Sequence, residues 1–156
     1  MNVASAVDRV RDLFGWEMNA LEKNVARSQP GANGLMFLPY FDGERLPNLP
    51  NGCGVIHGLN STNTNRQDIA RALIEGIVVG LAQGMKRFVE LGIRADELGI
   101  TGGGAKSATV RQVVSDLFGL PVVGFKTGGG GSGGSNSSGM DLWSNAGTIQ
   151  CRWRRL

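Results

Sequence analysis

The stretch Leu98-Gly-Ile-Thr-Gly-Gly-Gly-Ala-Lys-Ser107 constrains the fold of this chain more than any other. Its apolar opening, Leu98 to Thr101, reads as a buried strand. Three consecutive glycines then allow positive φ and let another molecule approach the backbone with no Cβ in the way. From Ser107 to Phe118 the chain reads as a helix, with Val110, Val113, Val114 and Leu117 at the i, i+3, i+4, i+7 spacing of one buried face. Gly119 and Pro121 end it, and Val122 to Phe125 reads as the next strand. Strand, glycine turn, helix and strand make a βαβ unit, an α/β arrangement with parallel strands. The first amides and the positive end of a helix at such a turn suit a phosphate. The residue order is not a Walker A loop, because Ala105 separates Gly104 from Lys106. It is not a dinucleotide fingerprint either, because the glycines are contiguous. On these residues alone, a phosphate site and a plain βα turn both stand open.

Composition removes several function classes. A chain of 156 residues reads as one domain. Its formal charge of +3 is concentrated at the end, where Arg152, Arg154 and Arg155 outnumber Asp141. No basic face is implied for the rest, so nucleic acid is not an expected partner. Cys53 and Cys151 show no paired spacing and His57 is the single histidine, which leaves nothing to build a metal site or a Cys–His nucleophile. The expectation is a reduced, cytoplasmic setting without a protein-held metal, with His57 a structural residue at a strand end. The longest apolar window, Ala72 to Ala82, contains Glu75 and is too short for a membrane span. The start of the chain carries Asp8 and Arg9 and shows no secretory signal.

Along the chain, residues 3–14 place Val3, Ala6, Val7, Val10, Leu13 and Phe14 on one side of a helix. A second helix covers Glu17 to Arg27 and stops before Pro30-Gly31. Leu35 to Leu38 reads as a short strand closed by Pro39. Tyr40 to Gly54 is a proline- and glycine-rich loop carrying Asp42, Glu44 and Arg45. These residues fit a functional loop and a solvated turn equally well. Val55 to Leu59 reads as a strand, and the polar run Asn60 to Asn65 supplies capping side chains for a long helix, Gln67 to Leu91. Gly76, Gly80 and Gly84 fall four apart on that helix and continue the line of Ala72. Each costs about 1 kcal/mol relative to alanine, so the stripe predicts a neighbouring backbone packed closely against it. Residues 128–156, opening on a Gly/Ser run, read as a disordered tail.

With these stretches in view, the chain resembles the C-terminal half of the FGGY family of carbohydrate kinases. Phe37-Leu-Pro-Tyr-Phe-Asp-Gly-Glu-Arg-Leu-Pro47 is similar to the family's Phe-Leu-Pro-Tyr-x-x-Gly-Glu-Arg-x-Pro loop. Gly54-Val-Ile-His-Gly-Leu59, followed by Asp68-Ile-Ala-Arg-Ala-Leu-Ile-Glu75, is similar to its second signature, with Leu73 a mild departure. Gly102-Gly-Gly-Ala-Lys-Ser107 resembles its adenosine-binding turn. The likeness runs from about residue 1 to residue 127. It implies part of an actin-like (ribonuclease H-like) ATPase fold, with ATP and Mg²⁺ as cofactors and a sugar as the phosphate acceptor. It also implies a nucleotide lying against Gly102, Gly103, Gly104 and Ala105 with Lys106 and Ser107 beside it, and Gly43, Glu44 and Arg45 near the cleft. Ala108 stands where some relatives have an asparagine that touches the nucleotide.

The family's catalytic aspartate lies upstream of this chain, so no catalytic residue is expected in it, and the full-length enzyme is implied to pair as a homodimer. A non-catalytic ATP/ADP-binding module and a non-functional fragment are the alternatives. After the last strand, related chains continue Ala-Ala-Leu-Gly-Ala-Ala-Ile-Gln-Ala-Ala-Trp. Codons compatible with Gly130 to Asp141, read one base later, give that peptide. The tail therefore fits a reading-frame change from about residue 128, and equally a Gly/Ser linker.

Overall fold

Glycine and proline punctuation sets the element boundaries, and apolar periodicity sets which faces go inside. The computed structural model describes residues 3–44, 48–124 and 149–155. The chain divides into two units, Met1–Gly84 and Met85–Leu156.

In the first unit, α1 (Val3–Phe14) and α2 (Met18–Arg27) are joined by a tight turn. Ala6, Val10, Leu21 and Val25 are buried. Leu13 departs from the expected apolar face and is 75% exposed, whereas Trp16 just after the helix is buried and stacks on Phe14 at 4.6 Å. Then comes a run of four left-handed residues, Gly31, Ala32, Asn33 and Gly34. A left-handed L-residue costs about 1 kcal/mol or more, so Ala32 and Asn33 must be held by what surrounds them. Strand β1 (Met36–Pro39) pairs antiparallel with β2 (Gly54–His57), in register Phe37 to Ile56. His57 closes β2, as expected of a strand-end residue.

Helix α3 (Arg66–Glu90) buries Ile69, Leu73, Ile77 and Val78. The glycine stripe earns its place at Gly76. A Cβ there would fall on the carbonyl oxygen of Phe37 and lie 3.0 Å from its carbonyl carbon. Only a residue without a side chain lets α3 pass β1 at that spacing. At Gly84 a Cβ would meet nothing within 4 Å among the described residues, so no close packing among them explains that glycine.

In the second unit, β3 (Ile93–Ile100) runs parallel to β4 (Val122–Gly124), with Leu98 opposite Val122 and Ile100 opposite Gly124. Between them lie α4 (Gly103–Lys106) and α5 (Ala108–Phe118). This is the βαβ unit read from the glycine turn. Leu98, Ile100, Val113 and Val114 form its buried apolar side. Leu117 belongs to the expected face but is 41% exposed, because α5 ends one residue later and Gly119 turns the chain left-handed at φ 64°.

Within the stretch read as a disordered tail, residues 149–155 are described. Residues Ile149–Arg155 form a strand, β5, antiparallel to β3 along its length from Ile93↔Arg155 to Ile100↔Ile149, with a bulge between Ala95 and Glu97. The physical cause is visible in the residues: Ile149, Cys151 and Trp153 alternate with Gln150, Arg152 and Arg154, the period of a strand. Residues 125–148, which include Phe125 and the Gly/Ser run, lie outside the described residues.

Candidate functional site

At the carboxyl end of β3 the chain turns at Gly102. Gly102 has φ 75° and ψ −152°, a region open essentially to glycine alone. The backbone then enters α4, a single helical turn whose first amides have no intrahelical acceptor. Its closing bonds run from the Ala105 amide to the Gly102 carbonyl and from the Ser107 amide to the Gly104 carbonyl, both 3.3 Å. Gly103 and Gly104 are absent from the residues with positive φ, so the turn needs left-handed freedom at Gly102 only. What the next two glycines supply is missing bulk.

The one helix expected from Ser107 onward is two. Ser107 is extended, and its Oγ accepts from the Val110 amide at 3.2 Å, the bond that caps α5. That hydroxyl is 3% exposed and its acceptor role is spent on the helix. We expect Ser107→Ala to lower stability by about 1 kcal/mol, as a fall in urea midpoint with unchanged slope.

The six candidate residues therefore divide. Gly102, Gly103 and Lys106 are exposed, Gly104 is half-buried, and Ala105 and Ser107 point inward. Among the described residues, a Cβ on Gly103 would have nothing within 4 Å, whereas one on Gly104 would sit 3.5 Å from Val110 and 3.8 Å from Ile100. The open side of the turn is thus lined by Gly102 and Gly103. Ala105 and Ser107 hold it from behind.

The other candidates lie in the first unit. Gly43 is left-handed (φ 75°), and a Cβ there would lie 2.5 Å from the carbonyl oxygen of Pro50. Glu44 is 6% exposed, and its backbone exchanges two 2.8 Å bonds with Leu49. This corrects the picture of a solvated charged turn: a short antiparallel ladder draws Glu44 inside. Asp42 stays exposed, and both of its carboxylate oxygens accept from Arg9 Nη2, at 2.8 and 3.1 Å. Arg45 lies outside the described residues.

One cluster was not expected as a unit, although Asp68 opens the second signature stretch and Asn65 ends the capping run. Asp68, on the first turn of α3, is 2% exposed. Its carboxylate accepts from Ser28 Oγ (2.5 Å), from Asn33 Nδ2 (3.0 Å to each oxygen) and from Asn65 Nδ2 (2.8 Å). Its amide donates to Asn65 Oδ1 at 2.9 Å, which caps α3. Burial pushes the carboxyl up, but the bonds from Ser28, Asn33 and Asn65 together outweigh it and hold the group below its ordinary value. Nearby, Asn63 is fully buried and donates to the Asn33 and Gly58 carbonyls. Glu75 accepts from the Gly31 amide at 3.0 Å. These bonds account for the left-handed run 31–34: α3 grips it at Asn33 and Gly31 through Asp68 and Glu75, and Asn63, ahead of the helix, holds the Asn33 carbonyl. An open polar cavity of about 320 Å³ borders the cluster. Because the carboxylate is already saturated by the protein, the cluster is a structural clamp. Among the described residues, no group of three His, Cys, Asp or Glu side chains could hold a metal ion, and no helix is long and apolar enough to cross a membrane.

Comparison with known proteins identifies the pattern to which this geometry belongs. The profile of the FGGY family of carbohydrate kinases, C-terminal domain, matches residues 3–135. The chain belongs to this family. The match runs past residue 127, where the sequence likeness was expected to end. Among FGGY-family relatives, the xylulose kinase of Haemophilus influenzae is 35% identical over 123 residues, covering 79% of this chain and 25% of that protein. The xylulose kinase of Escherichia coli is 34% identical over 131 residues, 83% of this chain and 27% of that protein. The solved xylulose kinase of Bifidobacterium adolescentis superposes with a TM-score of 0.73 at 34% identity, covering 81% of this chain and 25% of its own. A Plasmodium falciparum glycerol kinase solved with ADP superposes at a TM-score of 0.70 and 21% identity, a likeness of fold alone. The fold is that of the actin-like sugar kinases, and the chain spans about a quarter of the length of the relatives it matches.

Proposed function

We propose that this chain is the nucleotide-binding half of an ATP-dependent sugar kinase, one that passes the γ-phosphate of ATP to a hydroxyl of D-xylulose and so yields D-xylulose 5-phosphate. The observation that carries the proposal is the bare Gly102–Gly103 corner at the carboxyl end of β3, beside the parallel strand β4. Crevices at the carboxyl ends of parallel strands are where α/β sheets take their ligands. In this reading the amides of Gly103 and Gly104 face the nucleotide and Lys106, exposed at the end of the turn, supplies a positive charge. Ala105 and Ser107 keep the corner in shape. The sugar is assigned from the resemblance to xylulose kinases and not from any pocket on this chain.

Phosphoryl transfer also needs a base for the acceptor hydroxyl and clamps on the phosphates. The resemblance puts these upstream. Mg²⁺ is usually held by one or two carboxylates together with the phosphates themselves, and no role for it rests on the side chains described here. We expect the 156-residue polypeptide, made by itself, to bind ATP or ADP and to transfer no phosphate. The tail from about residue 128 is proposed to be out of frame. A gene whose next frame lacks Ala-Ala-Leu-Gly-Ala-Ala-Ile-Gln-Ala-Ala-Trp would leave the linker reading.

Calorimetric titration of wild type and Gly103→Val with ADP tests the site. A Cβ at that position meets nothing within 4 Å among the described residues, so the fold should be kept. Its branched side chain occupies the volume the nucleotide needs, and we expect affinity to drop about tenfold or more, equivalent to at least about 1.4 kcal/mol. Equal affinity in the two proteins would remove the glycine corner from the site.

A further inference from the structure

The glycine corner is a poor candidate for holding its own shape. Helix α4 is one turn long, and a single turn forms at a loss because several dihedrals are fixed for each bond gained. Three glycines at and before its start raise that loss further. Something outside the turn has to order it. The second unit supplies one side chain that does so. Arg111, half-buried on the first turns of α5, donates from a guanidinium nitrogen to the carbonyl oxygen of Ala105. Its stem lies along the end of β4: a Cβ built on Gly124 would sit 3.6 Å from Arg111 Cδ and 3.0 Å from the Ala105 carbonyl oxygen. The bareness of Gly124 is what lets the arginine and the turn come together over the strand end.

Resting on the nucleotide-site reading above, we propose that Arg111 is a positioning residue for that site, clamping the Ala105 carbonyl so that the Gly103 and Gly104 amides are aimed before the nucleotide arrives. Two physical terms favour this residue type. A guanidinium is charged at every relevant pH and has donors to spare after one bond to a carbonyl. A cation at the carboxyl end of a helical turn also complements the partial negative charge there. The side chain need not touch the nucleotide: it removes disorder that binding would otherwise have to suppress.

The test compares wild type with Arg111→Met and Arg111→Lys in the full chain, with ADP as the probe. Methionine keeps an unbranched apolar stem over Gly124 and loses the donor. Lysine keeps a charge and an N–H within reach. We expect Arg111→Met to weaken ADP binding about tenfold with an unchanged melting temperature, and to speed amide hydrogen exchange across residues 103–107. Arg111→Lys should recover most of both. If all three proteins bind ADP equally, or the exchange rates do not differ, the clamp is disproved while the nucleotide reading stands. Loss of binding in step with early melting in both variants would assign Arg111 to fold stability and overturn its positioning role. A wild type that binds no ADP overturns the nucleotide reading and the inference with it.

Discussion

Gly76→Ala should unfold the first unit under conditions where the wild type is folded. In an ordinary exposed helix the change would gain about 1 kcal/mol. Here the added methyl falls on the Phe37 carbonyl, which is backbone and not the movable end of a side chain. Relief requires β1 to withdraw from α3. That would strain its register with β2 and uncover Phe37, which is 4% exposed. Overpacking of this kind costs about 3 kcal/mol or more, a large part of the total that holds a small domain together. Gly84→Ala is the matching control on the same helix, since a Cβ there meets nothing within 4 Å among the described residues. It should gain up to about 1 kcal/mol. Urea titrations of the two variants give both signs at once, and a Gly76→Ala protein as stable as wild type would mean that α3 does not lie against β1 as described.

The second large effect belongs to Asp68. Replacing it by asparagine keeps the shape but turns one acceptor oxygen into a donor. That donor must then face the amide of Asn33 or Asn65, or the hydroxyl of Ser28. Hydrogen bonds to a charged group are worth about 1.5–3 kcal/mol each and buried donors left unpaired cost a similar amount, so we expect a loss of about 3 kcal/mol. The native carboxyl is held below its ordinary value. Its contribution is therefore complete above the unfolded value of about 4. It declines as pH falls from there through the lower folded value, and it is gone below that. The difference in stability between wild type and Asp68→Asn should accordingly be full at pH 7 and pH 5 and should shrink on acidification below about pH 4. A difference that persists unchanged to pH 2 would mean that the carboxylate's charge is not what holds the clamp.

Local grammar made much of this fold legible. The βαβ unit followed from one strand, one glycine run and one helical apolar period, because each is a short-range signal. Even so, β3 begins at Ile93 and not Leu98. Arg94, Asp96 and Glu97 interrupt the apolar run, so hydrophobicity alone marks only the second half of the strand. The split between α4 and α5 was hidden because Ser107 suits a helix start as well as a helix interior position, and only its bond to Val110 decides. The resemblance sets Ala105 and Ser107 beside the nucleotide, and both side chains are buried in the structure. Gly76 was read correctly from the stripe, since a costly residue repeated along one face implies a close neighbour.

The Asp68 clamp could not have been read. Ser28, Asn33, Asn65 and Asp68 are polar residues with no shared period, and the folded chain alone brings them together. Strand β5 is a different case. The alternation from Ile149 to Arg154 is legible in the sequence, although the Gly/Ser run upstream of it carries no period.

The central claim is that the Gly102–Gly103 corner is where this chain receives a nucleotide. Amide chemical-shift mapping on the isotope-labelled chain during addition of ADP addresses it residue by residue. The account predicts saturable shifts at Gly102, Gly103, Gly104 and Lys106, with the Ser28, Asn33 and Asp68 amides unmoved. Silence across the turn at millimolar ADP, or shifts gathered around Asp68 in its place, would contradict it.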